Sequence, residues 1–158
     1  MDGKICCFTG HRPGKLMITE GQVRERLESA VAQAVCDGFT TYLSGMAKGT
    51  DLVAAEIVLR LRESDPRLKL VCAMPFEGFG QHWPDGWTKR MRCVLENADS
   101  VHYVSKTYSP AVFQRRNRWL VDHSERVIAV FTGERGGTKN TLDYARRKGV
   151  ECIIIDGK

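Results

Sequence analysis

The feature that most constrains the fold is a regular alternation of strand-like and helix-like segments along all 158 residues. Short runs rich in apolar and β-branched residues predict strands at residues 4–8, 39–43, 68–74, 101–104, 126–131 and 150–155. A helical pattern separates each strand from the next, and this order is typical of parallel sheets. We therefore expect an α/β fold in a single domain, residues 1–158. It should be a doubly wound, mainly parallel sheet of about six strands with helices on both faces, which is a Rossmann-like arrangement.

A glycine-bearing loop, residues 44–51 (SGMAKGTD), follows the second predicted strand and precedes a helix. Backbone N–H groups at such a helix start form a favourable site for an anion. Ser44 and Met46 belong to this loop, and Gly45 and Gly49 allow positive φ angles or close backbone approach. Asp51 either caps the helix or accepts hydrogen bonds from ribose hydroxyls. Taken alone, the pattern also fits a plain strand-to-helix turn.

A second loop, residues 9–14, follows the first predicted strand. Thr9 offers a hydroxyl, Gly10 allows a tight turn, and His11 precedes Arg12, whose guanidinium suits phosphate or carboxylate. The alternative for Arg12 is an ordinary surface arginine.

A third glycine-bearing loop, residues 132–140, follows the fifth predicted strand. Gly136, Gly137 and Thr138 resemble a phosphate cradle, and we expect Thr138 to cap a helix from about Lys139 to Lys148. Three loops of this chemistry at one sheet edge predict a ligand site far more strongly than one loop does.

Two further segments are candidates for the same site. The loop at residues 75–84 contains Pro75, Phe76 and other aromatic residues that either stack on a base or anchor the loop. A helix is predicted from about Pro110 to His123, and Arg116 and Asn117 lie in its middle.

Composition limits the classes of protein and partner. The net charge of +5 favours anionic partners without separating nucleotides from nucleic acids. The six cysteines show no C-x-x-C spacing and fall mostly in predicted strands and helices, which indicates a reducing cytoplasm. The scattered histidines predict no metal site. No segment approaches the length of a membrane-spanning helix and no signal peptide is evident, so we expect no membrane partner.

The loop at residues 44–51 resembles the S-G-x-A-x-G-x-D signature of the SLOG superfamily, which includes the DNA-processing protein DprA and the LOG nucleotide hydrolases. The chain is most similar to its YpsA-like branch. The resemblance extends over nearly the whole chain, through residues 9–13, Pro75-Phe76 with Trp83, Arg116-Asn117 and residues 136–138.

This resemblance implies a Rossmann-like domain whose pocket binds a nucleotide or a derivative related to ADP-ribose or NAD. It also implies a reaction to consider, because LOG enzymes cleave nucleoside monophosphates with an arginine and a glutamate. Arg116 matches the arginine by spacing. The glutamate of P-G-G-x-G-T-x-x-E has no match, and Asp143, shorter and out of register, is the nearest acid.

Three functions follow as hypotheses. The leading one is a cytoplasmic nucleotide-binding protein that acts as a sensor or processing factor. The second is DprA-like binding of single-stranded nucleic acid, with a track formed by Arg115, Arg116, Arg118, Arg146, Arg147 and Lys148. The third is N-glycosidic hydrolysis with Arg116 and an acid, namely Asp143, Asp51 or Glu77. Association of the chain with copies of itself, as a homo-oligomer, is a further possibility for its partners.

Overall fold

The computed structural model describes residues 3–158. Its strands are β1 (Lys4–Gly10), β2 (Phe39–Ser44), β3 (Lys69–Met74), β4 (Ser100–Tyr103), β5 (Arg126–Phe131) and β6 (Glu151–Asp156). Its α-helices are α1 (Glu20–Cys36), α2 (Thr50–Arg62), α3 (Trp87–Asn97), α4 (Val112–Asp122) and α5 (Gly137–Arg147), and a short 3-10 helix spans Pro13–Lys15.

All neighbouring strands pair in parallel, in the order β4-β3-β2-β1-β5-β6. The predicted doubly wound, Rossmann-like sheet of six strands is confirmed. The chain builds outward from β1 to β4 on one side and then returns to place β5 on the other side of β1. The strand order therefore reverses between β1 and β5, and open α/β sheets bind ligands outside the carboxyl ends of the strands at such a point.

The two faces of the sheet carry separate apolar cores. Successive β1 side chains alternate between them, because Cys6 and Phe8 pack with α1, α2 and α3, whereas Cys7 packs with α4 and α5. Leu27 of α1 and Leu120 of α4 are buried representatives of the two layers. This placement leaves the carboxyl edge of the sheet free for loops.

Two predicted helix starts require correction. Helix α4 begins at Val112 rather than Pro110. Helix α5 begins at Gly137, so Thr138 lies inside the first turn and does not cap the helix. The cap position belongs to Gly136, whose φ of 141° a residue with a side chain adopts only with strain. Helix α1 begins with a capping box, in which Thr19 Oγ1 accepts a hydrogen bond from Gln22 N–H and the Gln22 side chain accepts one from Thr19 N–H.

All six cysteines are free thiols. Cys6, Cys7 and Cys72 are buried, whereas Cys36 and Cys93 are exposed. Within residues 3–158, no three His, Cys, Asp or Glu side chains are grouped so that they could hold a metal ion. None of the helices in this range is both long and apolar enough to cross a membrane.

Candidate functional site

A cleft of about 420 Å³ opens at the carboxyl end of β1, next to the point where the strand order reverses. Three stretches predicted from the sequence meet there: the loop after β1, the start of α2 and the start of α5. The lining residues are Thr9, Gly10, His11, Arg12, Gly14, Lys15, Ala47, Asp51, Phe113, Arg116, Asn117, Gly137 and Thr138.

Close backbone approach explains why glycines are needed beside this cleft. A Cβ atom at Gly10 would lie 2.4 Å from Thr50 Oγ1, so the end of β1 touches the start of α2. At Gly49, φ is 94° and a Cβ would lie 2.7 Å from Pro13 Cδ. The glycines therefore let the first two loops pack directly against each other.

Asp51 orders the loop at residues 44–51. Ala47 N–H donates a hydrogen bond to Asp51 Oδ2 (3.2 Å), and Ser44 Oγ donates to the Asp51 carbonyl (2.9 Å). Met46 N–H in turn donates to Ser44 Oγ (3.2 Å), which holds Met46 at a left-handed φ of 65°. Asp51 is the second residue of α2, and the hydrogen bond from Ala47 joins it to the preceding loop instead of the first turn of its own helix.

Arg116 reaches the same loop from the other face of the sheet. Its side chain is buried, its Nη1 donates to the Gly45 carbonyl, and its Nε donates to Asn117 Oδ1 (2.8 Å). A Cβ at Gly45 would lie 3.0 Å from Arg116 Cδ, so glycine is what lets the guanidinium pass so near the backbone. Helix α4 thereby helps to shape the cleft.

The floor of the cleft contains ionisable groups that are shielded from water. Burial raises the pKa of Asp51 to about 6, against the opposing effect of nearby Arg116. Burial also lowers the pKa of Arg116, but a guanidinium starts so high that it stays protonated at neutral pH. Asp51 is therefore mostly ionised at pH 7 and shares the floor with a permanent cation.

His11 is the second buried polar group at the floor. Its backbone N–H donates to the Val130 carbonyl (3.2 Å), its carbonyl accepts from Thr50 Oγ1 (3.3 Å), and its ring packs 5.4 Å from that of Phe131. Burial lowers the pKa of His11, with a further lowering from Lys15. The imidazole is therefore neutral at pH 7.

The rim of the cleft is exposed and basic. Arg12 makes no ion pair or side-chain hydrogen bond with any residue of the range 3–158, so its guanidinium is available to a ligand. Lys15 Nζ donates to the Arg135 carbonyl (3.3 Å) and thereby joins the first loop to the third. Gly137 and Thr138 begin α5, where the first N–H groups have no acceptor within the helix.

A second cavity of about 350 Å³ adjoins the cleft between α4 and α5. The two share Phe113, Asn117 and Gly137 as common walls. Asp143 lies in this outer cavity, where Lys139 Nζ donates to its Oδ2 (2.8 Å) and holds its pKa below the usual range.

The structure brings together most of the predicted site residues but not all of them. Ser44, Gly45, Met46, Gly49 and Gly136 belong to the surrounding loops without lining the cleft. Pro75 and Phe76 do not line the cleft, and Phe76 packs edge-to-face against Phe79, Tyr108 and the lining residue Phe113. Glu77 is exposed and lines neither cavity.

Four lining residues were not among the predicted site residues: Gly14, Lys15, Ala47 and Phe113. Lys15 follows Arg12 closely in a loop already suspected of anion binding, and that signal could have identified it. Phe113 precedes Arg116 by about one helical turn, but its side chain faces both cavities only because of how α4 packs.

Comparison with known proteins gives matches in sequence and in fold. The model of the YpsA family, described as the YspA SLOG family, matches residues 6–156. The chain is 34% identical over 118 residues to the uncharacterized SPbeta prophage-derived protein YoqJ of Bacillus subtilis (strain 168), an alignment covering 67% of this chain and 69% of YoqJ.

Among solved structures, the chain is similar to DNA processing protein A (DprA) from two bacteria. The Streptococcus pneumoniae protein matches with a TM-score of 0.69 and 21% identity, over 99% of this chain and 51% of that one. The Helicobacter pylori protein, described for its single-stranded DNA binding mode, matches with a TM-score of 0.69 and 18% identity, over 99% and 67%. The chain thus spans about half the length of the pneumococcal protein, and at these identities the likeness establishes the fold alone.

Proposed function

The chain belongs to the YspA SLOG family, and we propose that it is a nucleotide-binding protein whose ligand occupies the cleft between the β1 loop and the start of α5. The observation that carries the proposal is that one cleft is lined both by a guanidinium without a protein partner and by N–H groups at the start of a helix. Arg12 has no protein partner within residues 3–158, and it lines the same cleft as Gly137 and Thr138 at the start of α5.

Phosphate chemistry fits this rim. A guanidinium offers two parallel N–H donors, and amides at a helix N-terminus add further donors and a favourable dipole. Lys15 adds a second positive charge near Gly136, since its Nζ would lie 3.2 Å from a Cβ there. The ligand classes that we propose are nucleoside monophosphates, ADP-ribose and NAD, with the protein acting as a sensor or processing factor.

A thermal-shift panel with AMP, ADP, ADP-ribose, NAD and a single-stranded oligonucleotide tests the proposal. A ligand that binds only the folded state stabilises it by about 2.7 kcal/mol at one hundred times its dissociation constant. We expect a stabilisation by one of the small nucleotides that persists at moderate salt. Stabilisation by the oligonucleotide alone, or by none of the compounds, would refute a nucleotide site.

Single-stranded nucleic acid is the second candidate ligand, and a cationic cluster beside the outer cavity favours it. Three cationic groups surround the ring of Tyr144. The distances to its centre are 5.1 Å from Arg118 Cζ, 5.7 Å from Arg147 Cζ and 5.9 Å from Lys148 Nζ. Such a cluster suits a phosphate backbone with a stacked base. Its test is the salt dependence of oligonucleotide affinity, which should be steep, together with a large loss in Arg147→Ala.

N-glycosidic hydrolysis is the third candidate, and the position of Arg116 in the cleft favours it. Of the three acids considered, Asp51 alone lines that cleft, since Asp143 pairs with Lys139 in the outer cavity and Glu77 lines neither. Incubation with nucleoside monophosphates should then release free base. The release should disappear in Asp51→Asn and survive in Asp143→Asn.

A further inference from the structure

Two buried polar atoms at the floor of the cleft have no hydrogen-bond partner among residues 3–158. They are His11 Nε2 and Asp51 Oδ1. Their residues are 4% and 6% exposed, and both line the cleft. Buried polar atoms in folded proteins are nearly always satisfied, so two unsatisfied atoms on residues that line one cleft indicate a bound molecule that completes them.

Neither side chain is free to turn away and find another partner. Asp51 is fixed through its other oxygen, Oδ2, by the N–H of Ala47, and its backbone carbonyl is held by Ser44. The backbone of His11 is held on both sides by Val130 and Thr50, and its ring packs on Phe131. The two unpartnered atoms are therefore held in place before a ligand arrives.

The chemistry of Asp51 Oδ1 specifies what it binds. An ionised carboxylate only accepts hydrogen bonds, so it repels phosphate oxygens and requires an O–H or N–H donor. Neutral His11 offers one further donor or acceptor at Nε2, depending on its tautomer. The floor therefore suits an uncharged group with hydroxyls, whereas the rim with Arg12 and Lys15 suits an anion.

We infer that the floor of the cleft binds the sugar of a sugar phosphate, with Asp51 Oδ1 accepting a hydrogen bond from a ribose hydroxyl and His11 Nε2 contacting the same diol. This inference rests on the proposed function and deepens it. The phosphate lies at the exposed rim and the sugar at the buried floor. The site consequently selects ribonucleotides over nucleotides whose sugar lacks the 2′ and 3′ hydroxyls.

Recognition of the sugar hydroxyls also separates ribonucleotides from single-stranded DNA as ligands of this cleft. A ribonucleotide supplies a diol to Asp51, whereas an internal nucleotide of single-stranded DNA has neither hydroxyl free. DNA would leave the carboxylate without a donor, and a site with an unpaired buried polar group disfavours a ligand that fails to satisfy it.

Calorimetric titration of the whole chain with AMP and 2′,3′-dideoxy-AMP tests the inference without any variant. Ribose 5-phosphate and 2-deoxyribose 5-phosphate form a second pair of probes, which removes any contribution from the base. We expect AMP to bind at least about tenfold more tightly than its dideoxy analogue, since a hydrogen bond to an ionised group is lost. Equal affinities would overturn the inference and leave the nucleotide site intact. No binding by any of the four compounds would also overturn the inference, whereas the proposed nucleotide site is refuted only when the thermal-shift panel with ADP-ribose and NAD fails as well.

The variant Asp51→Asn then assigns the selectivity to its residue. Asparagine keeps the shape, and its oxygen can still accept from Ala47 N–H, but an NH₂ donor then replaces the acceptor at the ligand side. We expect the ratio of the AMP affinity to the dideoxy-AMP affinity to fall towards one, because the lost negative charge acts on both ligands alike whereas the lost acceptor affects AMP alone. The matched control is Asp65→Asn, because the Asp65 carboxylate accepts hydrogen bonds from Arg67 and lines neither cavity. A ratio unchanged in Asp51→Asn would overturn the assignment.

Discussion

Arg116 of α4 donates a hydrogen bond to the carbonyl of Gly45, so a helix on one face of the sheet fixes the loop that precedes a helix on the other face. The hydrogen bond crosses the carboxyl edge of the sheet at β2. It couples the position of the guanidinium at the cleft floor to the shape of the loop at residues 44–51.

Substituting Arg116→Lys should destabilise the fold. A single ammonium cannot reproduce both the hydrogen bond to the Gly45 carbonyl and the one to Asn117 Oδ1. Hydrogen bonds from charged groups contribute about 1.5–3 kcal/mol each, so we expect the free energy of unfolding to fall by about that amount. Urea denaturation measures it. The exposed neighbour Arg115 provides the control Arg115→Lys, and an equal loss in both variants would contradict a specific role for Arg116.

Gly49→Ala should cost more stability than Gly133→Ala. Both glycines have similar φ angles, 94° and 97°, so both variants place a side chain on a backbone with positive φ, which is strained. Only Gly49 has a neighbour in the way, because a Cβ there would lie 2.7 Å from Pro13 Cδ, whereas nothing lies within 4 Å of one at Gly133. Thermal unfolding compares them. Equal losses would show that the first two loops are not packed as described.

Asp51→Asn should change how stability depends on pH. The folded-state pKa of Asp51, about 6, exceeds the unfolded value of about 3.9, so the folded state binds this proton more tightly. The contribution of Asp51 to stability is then greatest below pH 4 and falls by about 3 kcal/mol as the pH rises to 7. The variant lacks this loss, so its stability relative to the unaltered chain should rise between pH 4 and pH 7.

Asp65→Asn is the matched control for this pH dependence. Its stability relative to the unaltered chain should change with pH in the opposite direction. Hydrogen bonds from Arg67 hold the pKa of Asp65 below its usual range, so its stabilising contribution is present at higher pH and lost on acidification. The stability of this variant relative to the unaltered chain should fall as the pH rises from acid to neutral. Slopes of the same sign in the two variants would contradict the burial of Asp51.

Nucleotide selectivity should depend on the ribose hydroxyls. Removal of both hydroxyls should weaken binding at least about tenfold in the unaltered chain and much less in Asp51→Asn. The physical reason is the unpartnered Asp51 Oδ1 at the cleft floor. Calorimetry with AMP and its dideoxy analogue measures both ratios, and a ratio near one in the unaltered chain would contradict sugar recognition.

The sequence predicted the sheet and the position of the cleft because both depend on local patterns. Apolar runs separated by helices determined the parallel sheet, and glycines after strands marked the loops at its carboxyl edge. The same signals placed Arg12, Asp51 and Gly137 in loops or at helix starts, and the structure brings them to one cleft.

Other features depended on packing that no local pattern encodes. Phe76 was an equal candidate for stacking on a base or anchoring its loop, and the structure packs it against Phe79, Tyr108 and Phe113. Thr138 has the residue type of a helix cap, but the positive φ of Gly136 starts α5 earlier. The hydrogen bond between Arg116 and Gly45 joins residues far apart in sequence, so it required the folded chain.

The central claim is tested most directly by measuring the affinity of Arg12→Ala for one nucleotide. That nucleotide is the compound that gives the unaltered chain its largest stabilisation. Arg12 lines the cleft without a partner in residues 3–158, so its loss should weaken binding about tenfold or more and leave the fold intact. Arg115→Ala removes an equal charge from an exposed position outside both cavities and should leave the affinity unchanged. Unchanged affinity in Arg12→Ala, or equal losses in the two variants, would contradict a phosphate site at this rim.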